Sequence, residues 1–152
     1  MASYHMHISG ISRSGGRSST AAAAYRSAER VLDQRTGEIH DYRRKRGVEE
    51  SAIFTPPGCP EMGRAELWNK AEAAENRKNS QVAREMTLAL PAELWPEDRS
   101  ALVRAFAAEF AQEEGVAVDL NIHEPHRDGD QRNHHAHLQW TTRFLEMDGS
   151  LG

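Results

Sequence analysis

Sulfur chemistry is nearly absent from this sequence. Among 152 residues there is one cysteine, Cys59, set between Gly58 and Pro60, so no internal disulfide and no cysteine-built metal cluster can form. A reducing, cytoplasmic setting is the expected compartment. Long apolar runs are missing as well: no window approaches the roughly 20 apolar residues that a membrane-crossing helix needs, and no membrane insertion is expected. Basic charge is not in excess either. The 19 Lys and Arg stand against 23 Asp and Glu, a net charge of −4, which speaks against a binder that holds nucleic acid on a generally basic surface. Patterning weakens that objection. Arg13, Arg17, Arg26 and Arg30 crowd one short stretch, Arg43, Arg44, Lys45 and Arg46 form a run, and many acidic residues fall in 61–75 and 93–114, where they read as outer helix faces. A locally positive face on an acidic protein is enough to hold a polyanionic strand.

The length suits one domain with a single core, and no repeat or linker interrupts it. The chain ends at Asp148-Gly149-Ser150-Leu151-Gly152, soon after an expected strand, and 1–152 is expected to be the N-terminal part of a longer protein.

What is present is alternation. Four segments carry one apolar and one polar face: Tyr4, Met6 and Ile8 against His5, His7 and Ser9; Val82, Met86, Leu88 and Leu90 against Ala83, Glu85, Thr87 and Ala89; Val116, Val118, Leu120 and Ile122 against Ala117, Asp119, Asn121 and His123; Ala136, Leu138 and Trp140 against His135, His137, Gln139 and Thr141. A fifth strand is expected at 48–54, with 38–42 as its partner. Three helices are expected: one capped by Ser18, Ser19 and Thr20 and running to about Leu32, one over 64–78, and one from Pro96 to Gly115 with Leu102, Val103, Phe106 and Phe110 on its apolar stripe. The fold class is then α+β, an antiparallel sheet of about five strands with helices on its apolar face. The polar faces would lie open together.

That polar surface gathers histidines. His135-Ala136-His137 sets two imidazoles on one face of a strand, and an antiparallel partner at 116–123 would bring His123 to the same side. His126, in the loop between them, is the alternative third ligand; His5, on the first strand, is a further histidine that could support the group. Three neutral imidazoles without a carboxylate leave a divalent ion its full charge and open positions, which suits a phosphodiester. The ligand type favours Zn²⁺, while Mg²⁺ or Mn²⁺ can serve if phosphate oxygen and water complete the sphere.

Tyr25 stands on the alanine-rich helix, preceded by the glycine- and serine-rich stretch 12–20, whose backbone N–H groups suit a phosphate, and followed by Arg26 and Arg30. As a nucleophile its phenol must lose a proton. Glu85 is the first choice of acceptor and His5 the second. Tyr42, Trp68 and Trp140 are candidates for stacking with bases, or else core residues.

Together, Ser12-Arg13-Ser14-Gly15-Gly16-Arg17-Ser18, Ala21-Ala22-Ala23-Ala24-Tyr25-Arg26, Leu67-Trp68-Asn69, Ala83-Arg84-Glu85, Ala89-Leu90-Pro91 and Asn133-His134-His135-Ala136-His137 with Thr142-Arg143 resemble the MobA/MobL (MobQ-type) plasmid mobilisation relaxases of the HUH class. The resemblance runs over almost the whole chain. It implies a sheet flanked by helices, Tyr25 as nucleophile, His123, His135 and His137 as metal ligands, and Glu85 as an acidic residue near the site. It implies a metal-dependent transesterification that nicks single-stranded or extruded DNA at a transfer origin, with relaxosome and coupling proteins as partners. Arg13, Arg17, Arg26, Arg30, Arg44, Lys45 and Arg143 are the expected DNA contacts. Replication initiators and transposases use the same chemistry, and a non-catalytic metal-binding DNA module would carry the histidines without it.

Overall fold

Five of the segments with strand character assemble into one sheet. The computed structural model describes residues 6–125 and 132–152. In chain order its elements are β1 (Met6–Ser12), α1 (Ser19–Ser27), β2 (Arg30–Leu32), β3 (Ile39–Asp41), β4 (Val48–Phe54), α2 (Arg64–Ala74), β5 (Gln81–Ala89), α3 (Pro96–Glu114), β6 (Val118–His123) and β7 (His135–Thr141). The five-stranded sheet runs β1-β5-β7-β6-β4, and every neighbouring pair is antiparallel. The α+β class and the sheet size match expectation. The strand 48–54 is present, but it pairs with β6; the 38–42 stretch instead pairs with β2 in a separate two-stranded ribbon.

The apolar faces of β5, β6 and β7 do what their alternation requires, whereas Met6 and Ile8 of β1, expected on the same face, stay 64% and 42% exposed. Met86, Leu138 and Leu120 lie side by side in register, as do Leu88, Ala136 and Ile122, and Val103, Ala107 and Ala111 of α3 close over them with Trp140. The small alanines let the helix approach the strands closely. Leu102 and Phe106, expected on that stripe, are 53% and 38% exposed, because the buried face of α3 is narrower than its apolar pattern. Pro96 opens the helix, and Gly115, at φ 70°, ends it.

The polar faces are not open. Here α1 and α2 pack on the second side of the sheet, around Ile11, Ala23, Leu67, Trp68, Ala71, Ala83 and Ala117. Most polar side-chain atoms trapped beneath them find partners, as burial demands, Gln139 Oε1 being an exception. Asp119, fully buried, accepts from Arg64 Nε and Nη2, from Trp68 Nε1 at 2.8 Å and from Asn121 Nδ2 at 3.1 Å. Glu72 of α2, 1% exposed, accepts from Ser19 N at 2.8 Å and Ser19 Oγ at 2.7 Å, a carboxylate set at the positive end of α1. Gln139 Nε2 donates to the Ser19 carbonyl.

Helix α1 is shorter than expected. Ser18 Oγ accepts from Ala21 N and caps its start. At the other end Ala28 takes the left-handed conformation, φ 58°, and its N–H closes on the Ala24 carbonyl. That conformation is costly for a residue with a Cβ, and the sequence carries no glycine or proline to announce it. Arg30–Leu32 is consequently a strand, and Arg30 lies opposite Asp41 in the ribbon.

Replacing Asp119 by Ala removes the buried acceptor of Arg64, Trp68 and Asn121 and leaves the Arg64 guanidinium only the partly exposed Glu29. It is expected to destabilise the fold by about 3–5 kcal/mol, as loss of one partner from a buried pair does. Leu102→Ala on exposed α3 surface should stay within about 0.5 kcal/mol of the parent. Urea unfolding followed by circular dichroism compares the two.

Candidate active site

Strand pairing sets His123 opposite His135, and Asn121 opposite His137. The two strands thereby deliver three imidazoles whose nearest ring nitrogens all lie within 4.8 Å of one another. Ring centroids are 5.3 Å apart for His123 and His135, 4.6 Å for His123 and His137, and 5.0 Å for His135 and His137. His134, on the opposite face, is directed to Glu49 instead. The alternative ligand His126, and His5, lie outside the described residues.

The hydrogen bonds around the rings orient their lone pairs. His123 Nε2 donates to the Arg26 carbonyl at 2.7 Å, which leaves Nδ1 as its acceptor nitrogen. His135 Nδ1 donates to the Asn133 carbonyl at 3.2 Å. His137 Nε2 lies 3.3 Å from Arg26 Nη1, while its Nδ1 is 3.2 Å from Thr87 Oγ1. Burial disfavours the charged form of both inner rings. The His123 imidazole is pushed down to about 4, desolvation outweighing the bond to Arg26, with Lys45 and His135 adding to the fall. His137 is pushed down to about 2, by burial first and then by Arg26. Neutral, converging imidazoles are the form that binds a metal, so the donor set fits a divalent ion and supplies no carboxylate to spend its charge.

Tyr25 is 44% exposed and sits in the last turns of α1. Its ring meets Tyr42 edge-on at 5.2 Å between centroids, and Lys45 Nζ lies 3.7 Å above its face while donating to the Tyr25 carbonyl at 2.8 Å. A groove of about 320 Å³ runs beside it, lined by Gly16, Arg17, Ser18, Ala21, Tyr25 and Arg26. Because the neighbouring residue, Arg26, touches both His123 and His137, the tyrosine is carried on the turn of helix that abuts the imidazoles.

The remaining expected residues divide. Glu85 shares the polar face one register step from Thr87, accepts from Ser9 Oγ at 3.2 Å and pairs with Arg17 Nη1 at 3.1 Å. Arg44 is exposed beyond the ribbon, as is Arg30 on β2. Arg143 Nε pairs with Glu75 at 2.6 Å and stays 41% exposed. Arg13 is not available to a ligand: its guanidinium is spent on the Glu72 carboxylate and on the carbonyls of Glu72 and Glu75, with 10% of the side chain exposed. Trp68 and Trp140 are core, so of the three stacking candidates only Tyr42 approaches the site. Thr87 was not singled out from the sequence, although its phase with Glu85 on β5 placed it on the right face.

An α+β antiparallel sheet that offers a histidine triad beside a helix-borne tyrosine defines a class, and the comparisons with known proteins name it. Residues 17–152 match the MobA/MobL family, and the chain belongs to that family. It is 38% identical to mobilization protein MobL of Acidithiobacillus ferridurans over all of its own length and 46% of that protein's. It is 35% identical to conjugal transfer protein TraA of Agrobacterium fabrum, over 98% of this chain and 14% of TraA. Among solved structures it matches, with a TM-score of 0.90 and 38% identity, a protein from work on the molecular basis of vancomycin resistance transfer in Staphylococcus aureus; the match covers 99% of this chain and 76% of that one. The chain thus spans less than half the length of these mobilization and transfer relatives.

Both inner histidines have folded values below the ordinary 6.5. Protons therefore bind the unfolded chain first, so their contribution to stability is intact above about pH 6.5 and is lost as pH falls toward about 4. Urea unfolding of metal-free protein between pH 7.5 and 5.5 should show stability falling with pH, and the slope should flatten in His137→Gln. An equal slope in the variant would contradict the assignment.

Proposed function

We propose that the chain is the nicking domain of a plasmid mobilisation relaxase of the HUH class, with Tyr25 as its nucleophile. The observation that carries this is the double contact of residue 26 with His123 and His137, which sets the tyrosine's turn of helix against the imidazole triad. Family membership supports the plasmid-transfer role.

In the reaction, the Tyr25 oxygen attacks the scissile phosphorus at the transfer origin. A bond from phenolic oxygen to phosphorus forms, the bond from phosphorus to the 3′ oxygen breaks, and the departing 3′ oxygen takes a proton from water, giving a 5′-phosphotyrosyl link and a free 3′-hydroxyl. One phosphodiester replaces another, so rejoining needs no ATP. His123, His135 and His137 hold the divalent ion, Mg²⁺ or Mn²⁺ with Zn²⁺ as the further option. Bound there, the ion would polarise a phosphate oxygen and offset the charge that gathers around phosphorus. Glu85, on the same sheet face, takes the phenolic proton. Its carboxylate also pairs with Arg17 Nη1 at 3.1 Å.

Arg17 and Arg26 line the groove beside Tyr25, and Lys45 lies across its ring. These three, with Arg30 and Arg44 on and beyond the ribbon and Arg143 at the sheet's far end, make the surface for single-stranded or extruded DNA. Relaxosome and coupling proteins are the partners in this role, and the cytoplasm is where it operates. No helix among the described residues is long and apolar enough to cross a membrane.

End-labelled single strands tiled across the plasmid's transfer origin, incubated with protein and Mn²⁺, should yield a covalent adduct on a denaturing gel. Tyr25→Phe should abolish it, and Glu85→Gln should slow its formation by about 100-fold, the lower range for a lost general base. Cleavage that survives Tyr25→Phe would show water, not the tyrosine, to be the nucleophile.

A further inference from the structure

Arg26 touches the imidazole cluster in a way that simple attraction to DNA does not call for. Its main chain and its side chain do separate things. The carbonyl accepts from His123 Nε2 at 2.7 Å, which fixes the end of α1 to β6. The guanidinium faces His137 Nε2 at 3.3 Å.

A guanidinium has five donors, no acceptor, and a charge it keeps at any ordinary pH. The ring nitrogen it faces therefore supplies a lone pair. With Nε2 committed as acceptor, the other nitrogen, Nδ1, carries the ring hydrogen and donates to Thr87 Oγ1 at 3.2 Å. A neutral imidazole has only one lone pair to give. The one that Arg26 occupies is thus the one that His137 would offer a cation.

A divalent ion and Arg26 consequently compete for one nitrogen, and they repel each other as like charges. Lys45, whose ammonium rests over the Tyr25 ring, adds a second positive charge at the same place. Among the described residues, neither Arg26 nor Lys45 forms an ion pair with a carboxylate. A phosphodiester would change the balance. It offers the guanidinium two charged acceptors in place of one neutral one, and it brings negative charge to the cations gathered beside the rings.

We propose that Arg26 caps the metal-binding nitrogen of His137 in the DNA-free protein and transfers to the strand's phosphate when DNA arrives, so that metal and single-stranded DNA bind cooperatively. This rests on the proposed assignment of the three histidines as metal ligands. Residue 26 is here a positioning residue whose side chain has two stations, while its carbonyl keeps α1 in place. Coupling of this kind is reciprocal: DNA strengthens metal binding by the factor by which metal strengthens DNA binding.

The decisive property is that removing the guanidinium should improve metal binding, a gain that a merely structural residue would not give. Titration calorimetry with Mn²⁺ is carried out on Tyr25→Phe protein, which cannot consume DNA, with and without the additional change Arg26→Met, which keeps the apolar stem. In the absence of DNA, the Arg26→Met protein should bind Mn²⁺ about tenfold more tightly, the weight of one hydrogen bond from a charged donor. Adding a single-stranded transfer-origin oligonucleotide should tighten Mn²⁺ binding to the Tyr25→Phe parent and barely alter it in Arg26→Met. Arg26→Lys, which keeps a cation without the planar fork, should fall between them and serves if the methionine variant does not fold.

Equal or weaker Mn²⁺ binding in a folded Arg26→Met protein overturns the proposal. His137→Ala separates the two levels of inference. If it abolishes Mn²⁺ binding while Arg26→Met brings no gain, only the role of Arg26 is lost. If it leaves Mn²⁺ binding unchanged, the ligand assignment falls and the proposal with it.

Discussion

The structure depends on a polar sheet face that is buried instead of solvated. Hydrophobic burial alone would put helices on the side lined by Met86, Leu120 and Leu138, where α3 lies. Yet α1 and α2 cover the side that carries Asp119, Asn121, Gln139 and His137, all under 9% exposed. Such a layer is stable only if nearly all of its polar atoms find partners, because an unpaired one costs more than a paired one gains. Arg64 and Trp68 of α2 supply Asp119, the Ser19 carbonyl of α1 supplies Gln139, and Glu72 binds the two helices together through Ser19. The specificity of these partners fixes where α1 sits to within a hydrogen bond.

That constraint is what creates the site. Toward the open end of the same layer the pattern continues, but the buried groups become imidazoles and the partner becomes the last turn of α1. Held from below by Gln139 and at its end by His123, α1 has little freedom to slide, and Tyr25 travels with it. Burial also keeps His123 and His137 neutral, the state in which an imidazole can bind a metal without first releasing a proton. A triad on an exposed sheet would lack both properties.

Much of this was legible from residue order, and the limits are physical. Alternation assigned the two faces of β5, β6 and β7, because a period of two is unambiguous over six or more residues. It aligned His123 with His135 and His137 for the same reason. Proline and glycine marked the ends of α3. The three-residue strands of the ribbon are too short to show a period, and the helix end at Ala28 relies on a strained alanine that no stop signal precedes. Least legible was the second helical layer. Asp119 and Gln139 read as solvent-facing, since a sequence does not reveal that Arg64 and Ser19 will be there to meet them.

The same blindness explains the misleading net charge. Charge totals treat every arginine as available, whereas the fold neutralises many of them locally: Arg13 on Glu72, Arg17 on Glu85, Arg43 on Asp41, Arg64 on Asp119 and Glu29, Arg104 on Glu50, Arg143 on Glu75. Each acidic residue in these pairs offsets the cation beside it. Beside Tyr25 the balance is different, since the nearest partners of Arg26 and Lys45 are imidazoles, carbonyls and an aromatic ring, all uncharged. Positive charge thus persists where three imidazoles converge, even though the chain as a whole carries −4. For a polyanion approaching within a Debye length, about 8–10 Å at ordinary ionic strength, that local excess governs the attraction and the distant sum is screened.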